Sequence, residues 1–323
     1  MVAPVIGKEL LYLSEADLPS VMPPASAVAD RIVELTAARR AGDVMIHPKA
    51  VIGGNGMATF FVMPVLMTQG VSGIKWLGGA PDNPARGIPA FLGTTTLNDT
   101  ATGAPVAIIG AAATTVMRTA ALSLLAARRL ASPASRTLGL VGAGMQAAAH
   151  LRALREYFAI DHVLVSSRGS SAAAFQARWS EPGLTIEVAS PDRILAQSDI
   201  IVSAVAADPA LAPFLDARLM KPGAFAAMPD LGKPWTVDGL DRFAAIYTDD
   251  VASSTARGAT VEQMGAVPYA GGIEELGGAA LPAIDPSQCA AFLFAGTPIA
   301  DFAIAILVYE AAVARGAGRI LPL

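Results

Sequence analysis

The residues best placed for chemistry in this 323-residue sequence begin with a pair of glycines. Leu138-Gly139-Leu140-Val141 runs into Gly142-Ala143-Gly144-Met145-Gln146-Ala147, which fits the pattern G-x-G-x-x-(G/A) between an apolar run and a helical stretch. In that spacing Gly142 permits a tight turn, Gly144 lets backbone approach a pyrophosphate, and Ala147 lets the following helix pack closely on the strand. Ala143, Met145 and Gln146 then belong to a helix N-terminus whose N–H groups and dipole meet the phosphates. The next apolar run, His162 to Ser166, continues into Ser167 and Arg168. A carboxylate there would take ribose hydroxyls, whereas Arg with hydroxyl donors suits a 2′-phosphate, so NADP(H) is favoured and NAD(H) possible. Val205, at the end of a later strand, is assigned to the same dinucleotide site.

Other chemistries find little footing. His150 and His162 have neither metal-ligand spacing nor a nucleophile beside them, and the single Cys289 reads as a small buried hydrophobe. No Ser-His-Asp arrangement, P-loop or Cys/His cluster stands in the sequence, so hydrolase, kinase and metal-dependent readings lack support. Hydrophobic residues make up 53% of the chain and charged ones 15%, against a usual charged share of about 25%. The net charge is −4 and the pI about 5.4. Lys and Arg are nowhere gathered into a run, which argues against nucleic acid and acidic membranes as partners. Membrane insertion fails as well. The uncharged windows from Lys49 to Lys75 and from Thr100 to Met117 are broken by Gly53, Gly54, Pro64, Gly70, Gly73, Gly103, Pro105 and Gly110. Lys8 and Glu9 interrupt the N-terminus before an apolar leader forms. A cytoplasmic protein with deep burial or a large oligomer interface is the expectation.

The elements that must carry these residues follow from periodicity. Val28, Ile32 and Leu35 mark a helix from Ser26, read as its N-cap, to about Arg40. Between Val44 and Leu97, runs such as Thr59–Met63 and Gly73–Leu77 predict a strand-rich segment. A turn at Asp99–Gly103, a strand at Pro105–Ile109 and an Ala- and Leu-rich helix over Thr115–Leu130 come next. Strands at Leu138–Val141, His162–Ser166, Leu184–Val188, Asp199–Val205, Ala224–Met228 and, as the last, Ala245–Thr248 alternate with helices at Met145–Tyr157 and Ser170–Trp179. That alternation predicts a parallel sheet covered on both faces. A final helix spans Pro298–Ala314, with Phe302, Ile306 and Tyr309 along one face.

Several stretches taken together resemble the ornithine cyclodeaminase and mu-crystallin family. They are Gly73-Ile74-Lys75-Trp76, Pro81-Asp82-Asn83, Leu97-Asn98-Asp99 with Thr102-Gly103, Arg118-Thr119-Ala120-Ala121, the Gly142 motif, Asp230 with Gly232-Lys233, and Gly296 through Asp301. They are collinear over nearly the whole chain. The resemblance implies an α/β protein in which a Rossmann dinucleotide-binding domain, residues 118–298, is inserted in an α+β substrate-binding and dimerisation domain, residues 1–117 plus 299–323. It also implies homodimers, and a small imino or amino acid whose α-carbon exchanges hydride with the nicotinamide. Lys75 and Arg118 would then bind the substrate carboxylate, and Asp230 would handle the imine proton, making Asp230 and Lys75 the catalytic pair.

Departures from the family pattern refine this. His47-Pro48-Lys49 stands where the family commonly has Arg after Pro, so Lys49 would serve as a point charge without bidentate geometry and His47 as a titrating donor. Met228-Pro229 replaces the usual small residues ahead of Asp230. Asp301, at the start of the last helix, is read as favouring the helix dipole. From Val44 to Pro81 there is no Asp or Glu, and Phe60, Phe61 and Val62 occupy the region where a diamine-binding carboxylate would be sought. The leading expectation is NAD(P)H-dependent reduction of a small cyclic ketimine, such as Δ1-pyrroline-2-carboxylate or Δ1-piperideine-2-carboxylate, to the L-amino acid. The alternatives are an amino-acid cyclodeaminase or dehydrogenase using the same residues, and a non-catalytic binding protein like mu-crystallin.

Overall fold

A computed structural model of the chain describes residues 3–54, 58–80, 82–206, 211–256, 267–278, 281 and 285–323; Pro81 of the motif residues above lies outside them. The first stretch holds β1 (Glu9–Leu13), α1 (Ala25–Ala41), β2 (Val44–Ile46), β3 (Ala50–Gly53), β4 (Thr59–Met67), β5 (Val71–Gly79), β6 (Phe91–Asp99), β7 (Pro105–Gly110) and α2 (Ala112–Leu130). An alternating stretch follows: β8 (Thr137–Val141), α3 (Met145–Arg155), β9 (His162–Ser166), α4 (Ser171–Trp179), β10 (Thr185–Val188), α5 (Pro191–Gln197), β11 (Ile200–Ser203), β12 (Phe225–Met228) and β13 (Phe243–Tyr247). The chain closes with α6 (Val251–Ala256), β14 (Tyr269–Gly271), α7 (Ile273–Leu276), β15 (Cys289–Leu293), α8 (Pro298–Arg315) and β16 (Arg319–Pro322). Among the described residues no helix is long and apolar enough to cross a membrane.

Two compact units result, Met1–Arg118 with Gly296–Leu323, and Thr119–Ala295. In the first, the sheet order is β16-β1-β7-β6-β5-β4-β2, with β3 also paired to β4. Helix α8 packs on α1 and over β4 and β5. Strand alternation then decides what each face of β5 carries. Lys75 and Leu77 are buried on one face, and Gly73 on that face lies close enough to Phe302 of α8 that an added Cβ would come within 3.2 Å of its ring. Ile74 and Trp76 point the other way and are exposed.

Helix α1 begins at Ala25 rather than at a Ser26 cap. Pro24 is the N-cap, in extended backbone, and no side chain caps the end; two consecutive prolines set the start by their fixed φ. Helix α2 starts three residues before the predicted Thr115, because a distant carboxylate satisfies its first donors. Glu15 Oε1 accepts from Ala112 N (2.8 Å) and Oε2 from Ala113 N (3.1 Å).

The second unit is an entirely parallel sheet in the order β10-β9-β8-β11-β12-β15-β13-β14. The chain winds outward from β8 in one direction and then restarts at β11 in the other, so the crevice between the carboxyl ends of β8 and β11 is the topological switch point where such sheets take ligands. Val141, Leu164, Ile201, Ala226 and Met228 anchor its core with Trp235, Ala291 and Leu293. The strand expected to be last, at Ala245–Thr248, is not. Tyr269–Gly271 and the fully buried Cys289-Ala290-Ala291-Phe292-Leu293 follow, the latter lying between β12 and β13.

Candidate functional site

In the first unit a group of opposite charges is built from elements far apart in sequence. Lys75 reaches the face covered by α8 and meets Asp301 in that helix's first turn, Nζ to Oδ1 at 2.7 Å. Arg118, on α2, brings Nε to 3.1 Å from the same oxygen. Lys75 is 2% exposed and Asp301 4%. Asp301 Oδ2 is buried without a hydrogen-bond partner among the described residues. Lys49, just beyond β2, completes the group. Gly296, at φ 94°, occupies the gap: a Cβ built on it would stand 3.6 and 3.7 Å from the two terminal nitrogens of Arg118 and 3.7 Å from Lys49 Nζ. A side chain there would both strain the backbone and fill the space between the cations. Lys49 Nζ also lies 5.6 Å from the centroid of the Phe61 ring, which pairs with Phe91 at 5.9 Å.

The electrostatics follow from this packing. Burial pulls the Lys75 ammonium down to about 8, with Asp301 resisting and Arg118 and Lys49 adding to the fall. Burial works to raise the Asp301 carboxyl, yet Arg118 and Lys75 outweigh it and hold it below the ordinary carboxylate range. Among the described residues Lys75, Arg118 and Lys49 thus gather around Asp301, and such a cluster of cationic donors suits an anionic ligand. Asp301 was expected to serve the helix dipole; its position is N-terminal, but its partners are Lys75 and Arg118. His47, exposed after β2, points Nδ1 at the Pro48 carbonyl oxygen (2.9 Å), a contact within its own turn.

The second unit carries the glycine motif and Asp230. Gly142 follows β8 at φ 110°, where an added Cβ would lie 2.4 Å from the Ala204 carbonyl oxygen, so only glycine fits. Gly144 is the N-cap of α3 and supplies no side-chain cap, which leaves the first-turn N–H groups of that helix to a ligand. Ala147 is fully buried against the strand and Met145 is 75% exposed at the helix tip. Gln146 Oε1 and Ser167 Oγ are buried without a hydrogen-bond partner among the described residues. Arg168 is exposed at the end of β9. These residues fit a dinucleotide: a turn at Gly142 closed to side chains, open space beside Gly144, an uncapped helix end, and two buried polar atoms, Gln146 Oε1 and Ser167 Oγ.

Asp230 lies just past the carboxyl end of β12, held by Ser203 Oγ (2.9 Å to Oδ1) and the Val205 N–H (3.2 Å to Oδ2). Desolvation raises it to about 7 against the pull of these donors. The turn after Met228-Pro229 is tight, with Leu231 at φ 64° and Gly232 at 68°. A left-handed leucine is uncommon and costs backbone energy. Ser203 in turn accepts from the Trp235 indole N–H at 2.9 Å. Neither Ser203 nor Trp235 stood out in the sequence, since a strand serine and a lone tryptophan show no motif spacing.

His150 is fully buried and engaged on both nitrogens, with Nδ1 2.7 Å from Gln146 O and Nε2 2.8 Å from Ser123 Oγ. Because a carbonyl only accepts, Nδ1 carries the proton and Ser123 donates to Nε2; burial pulls the ring down to about 4. It ties α3 to Ser123 of α2. Among the described residues no cluster of three His, Cys, Asp or Glu is placed to hold a metal.

Comparison with known proteins agrees with this architecture. The chain is 32% identical to the alanine dehydrogenase of Archaeoglobus fulgidus over 156 residues, 48% of this chain and 47% of that protein, so it spans about half the length of that relative. It is 29% identical to the iminosuccinate reductase of Paracoccus denitrificans over 325 residues, covering 96% of this chain and 99% of that protein. The Δ1-pyrroline-2-carboxylate reductase of Thermococcus litoralis, solved with NADH and L-proline, shares the fold at a TM-score of 0.85 and 22% identity, over 96% of this chain and 99% of that one. Residues 24–316 match the Ornithine cyclodeaminase/mu-crystallin family, and the chain belongs to it.

Proposed function

We propose that the protein reduces a small α-imino acid to the corresponding L-amino acid with NAD(P)H, the substrate being a cyclic ketimine of the Δ1-pyrroline-2-carboxylate or Δ1-piperideine-2-carboxylate type. The observation that carries this reading is the buried cationic group. Lys75, Arg118 and Lys49 bind the substrate carboxylate, with Asp301 fixing the first two in place. Asp230 exchanges the proton of the imine nitrogen, a task suited to a carboxyl near 7. Gly142, Ala143, Gly144, Met145, Gln146, Ser167, Arg168 and Val205 would hold a nicotinamide dinucleotide, which would supply the hydride when bound. Arg168 with Ser167 favours NADP(H) over NAD(H). Catalysis from these side chains is positioning and charge stabilisation.

The absence of Asp and Glu from Val44 to Pro81, with Phe61 and Phe91 beside Lys49, supports an uncharged substrate side chain over a diamine. A second reading, an acyclic imino dicarboxylate, draws on the gathering of Lys75, Arg118 and Lys49 and on the near full-length similarity to iminosuccinate reductase. Following NADPH and NADH absorbance with Δ1-pyrroline-2-carboxylate, Δ1-piperideine-2-carboxylate and iminosuccinate formed from oxaloacetate and ammonia separates the two. Oxidation with the cyclic imines and a preference for NADPH are expected. Turnover of iminosuccinate alone selects the second reading. Binding of NADPH without turnover of any imine selects a binding protein, and NADH ahead by about tenfold, about 1.4 kcal/mol, reverses the cofactor assignment.

A further inference from the structure

Asp230 sits at the end of a hydrogen-bond chain whose direction is fixed by chemistry. An indole nitrogen can only donate, so Ser203 Oγ must accept from Trp235 Nε1 at 2.9 Å. With its acceptor side engaged, the serine hydroxyl has its own proton to place, and Asp230 Oδ1 lies at 2.9 Å. Both links are dry: Ser203 is fully buried and Trp235 is 1% exposed, its ring packed edge-on against Phe243 at 6.0 Å. The other carboxyl oxygen, Oδ2, accepts the longer contact from Val205 N–H at 3.2 Å. Backbone donors at Gly232 and at Asp230 itself complete its surroundings, and among the described residues it makes no ion pair.

We propose that Trp235 and Ser203 are positioning residues for Asp230: the one-way chain from indole N–H through Ser203 Oγ–H keeps Oδ1 an acceptor and confines the exchangeable proton to Oδ2. The inference rests on the reading that Asp230 exchanges the imine proton. In that exchange one O–H bond on Oδ2 breaks as one N–H bond forms on the imine nitrogen. The carboxylate left behind is already oriented and already receives a donor on Oδ1. A donor to the ionised form favours ionisation, so the chain also offsets part of the desolvation that raises this carboxyl.

The test reads the Asp230 titration directly. Difference infrared spectra across pH report its protonated carboxyl band, identified by its loss in Asp230→Asn, and need no knowledge of the substrate. Ser203→Ala is expected to raise the midpoint by about one pH unit, the size of a hydrogen bond to a charged group. Trp235→Phe, which keeps the ring, is expected to raise it by a few tenths through weaker polarisation of the serine. Because Trp235 acts only through Ser203, the double variant should match Ser203→Ala alone. An unmoved midpoint in Ser203→Ala, or a Trp235→Phe shift that adds in full to it, overturns the proposal. Asp230→Asn separates the layers. If it retains full imine turnover, the role of Asp230 falls and the proposal with it; if it is inactive while the midpoints stay fixed, only the chain falls.

Discussion

Lys75 is a lysine placed where an ammonium is poorly solvated, and its proton is held by neighbours rather than by water. Since its affinity for that proton is lowered to about 8, substrate carboxylate binding should weaken as pH rises through that value, seen as a rising KM. Asp301 works against this fall. Asp301→Asn should therefore move the alkaline limb to lower pH, whereas a purely structural Asp301 would change stability and leave the limb in place. Removing the ammonium altogether is harsher. Lys75→Ala should lower kcat/KM by about 100-fold, the scale seen when one preorganised charge donor is lost; full retained activity would remove Lys75 from the carboxylate site. Sequence showed Lys75, Arg118 and Lys49 as candidates but not their common partner. Asp301 is 226 positions from Lys75, and a carboxylate in a helix's first turn has an adequate local explanation in the dipole.

At the level of elements, the site depends on where α2 begins. Arg118 lies on that helix, whose first N–H groups are closed by Glu15, from a segment nearly a hundred residues earlier. Glu15→Ala should cost about 1 kcal/mol of stability, as other helix caps do, read by urea denaturation. A change within error would mean water replaces the carboxylate. The local signals in the sequence were strong where short β-branched runs met glycine turns: β8, β9 and β11 with α3 and the Gly142 turn stand at or near their expected positions. They were weak at β15, because Cys289-Ala290-Ala291 lacks the β-branched residues that mark a strand and only its central place in the sheet keeps it extended. Ser26 likewise looked like a cap, and the proline pair Pro23-Pro24, ending two residues earlier, decided the helix start. Long-range closure set the start of α2 and the place of β15, whereas the start of α1 was set locally.

At the scale of the whole molecule, the sheet of the first unit carries an apolar face that is exposed among the described residues. Met45, Ile52, Leu66, Trp76 and Leu92 are each more than 40% exposed, and Phe60 stacks beside Trp76 at 5.2 Å. An apolar face of this kind is unusual for a monomer, and together with the family resemblance it supports a second copy of the chain as its cover. Light scattering should give a dimer, and Leu66→Asp with Trp76→Asp should give a monomer; a monomeric parent protein at micromolar concentration would contradict this. The high apolar share of the sequence is thereby divided between a doubly covered parallel sheet and this face. Hydride delivery to the α-carbon of an imino acid can be followed with a label. With NADPH carrying deuterium at the transferable C4 position and Δ1-pyrroline-2-carboxylate as substrate, the proline formed should hold deuterium at its α-carbon. Proline without the label, or no proline at all from any imine offered, would contradict the account.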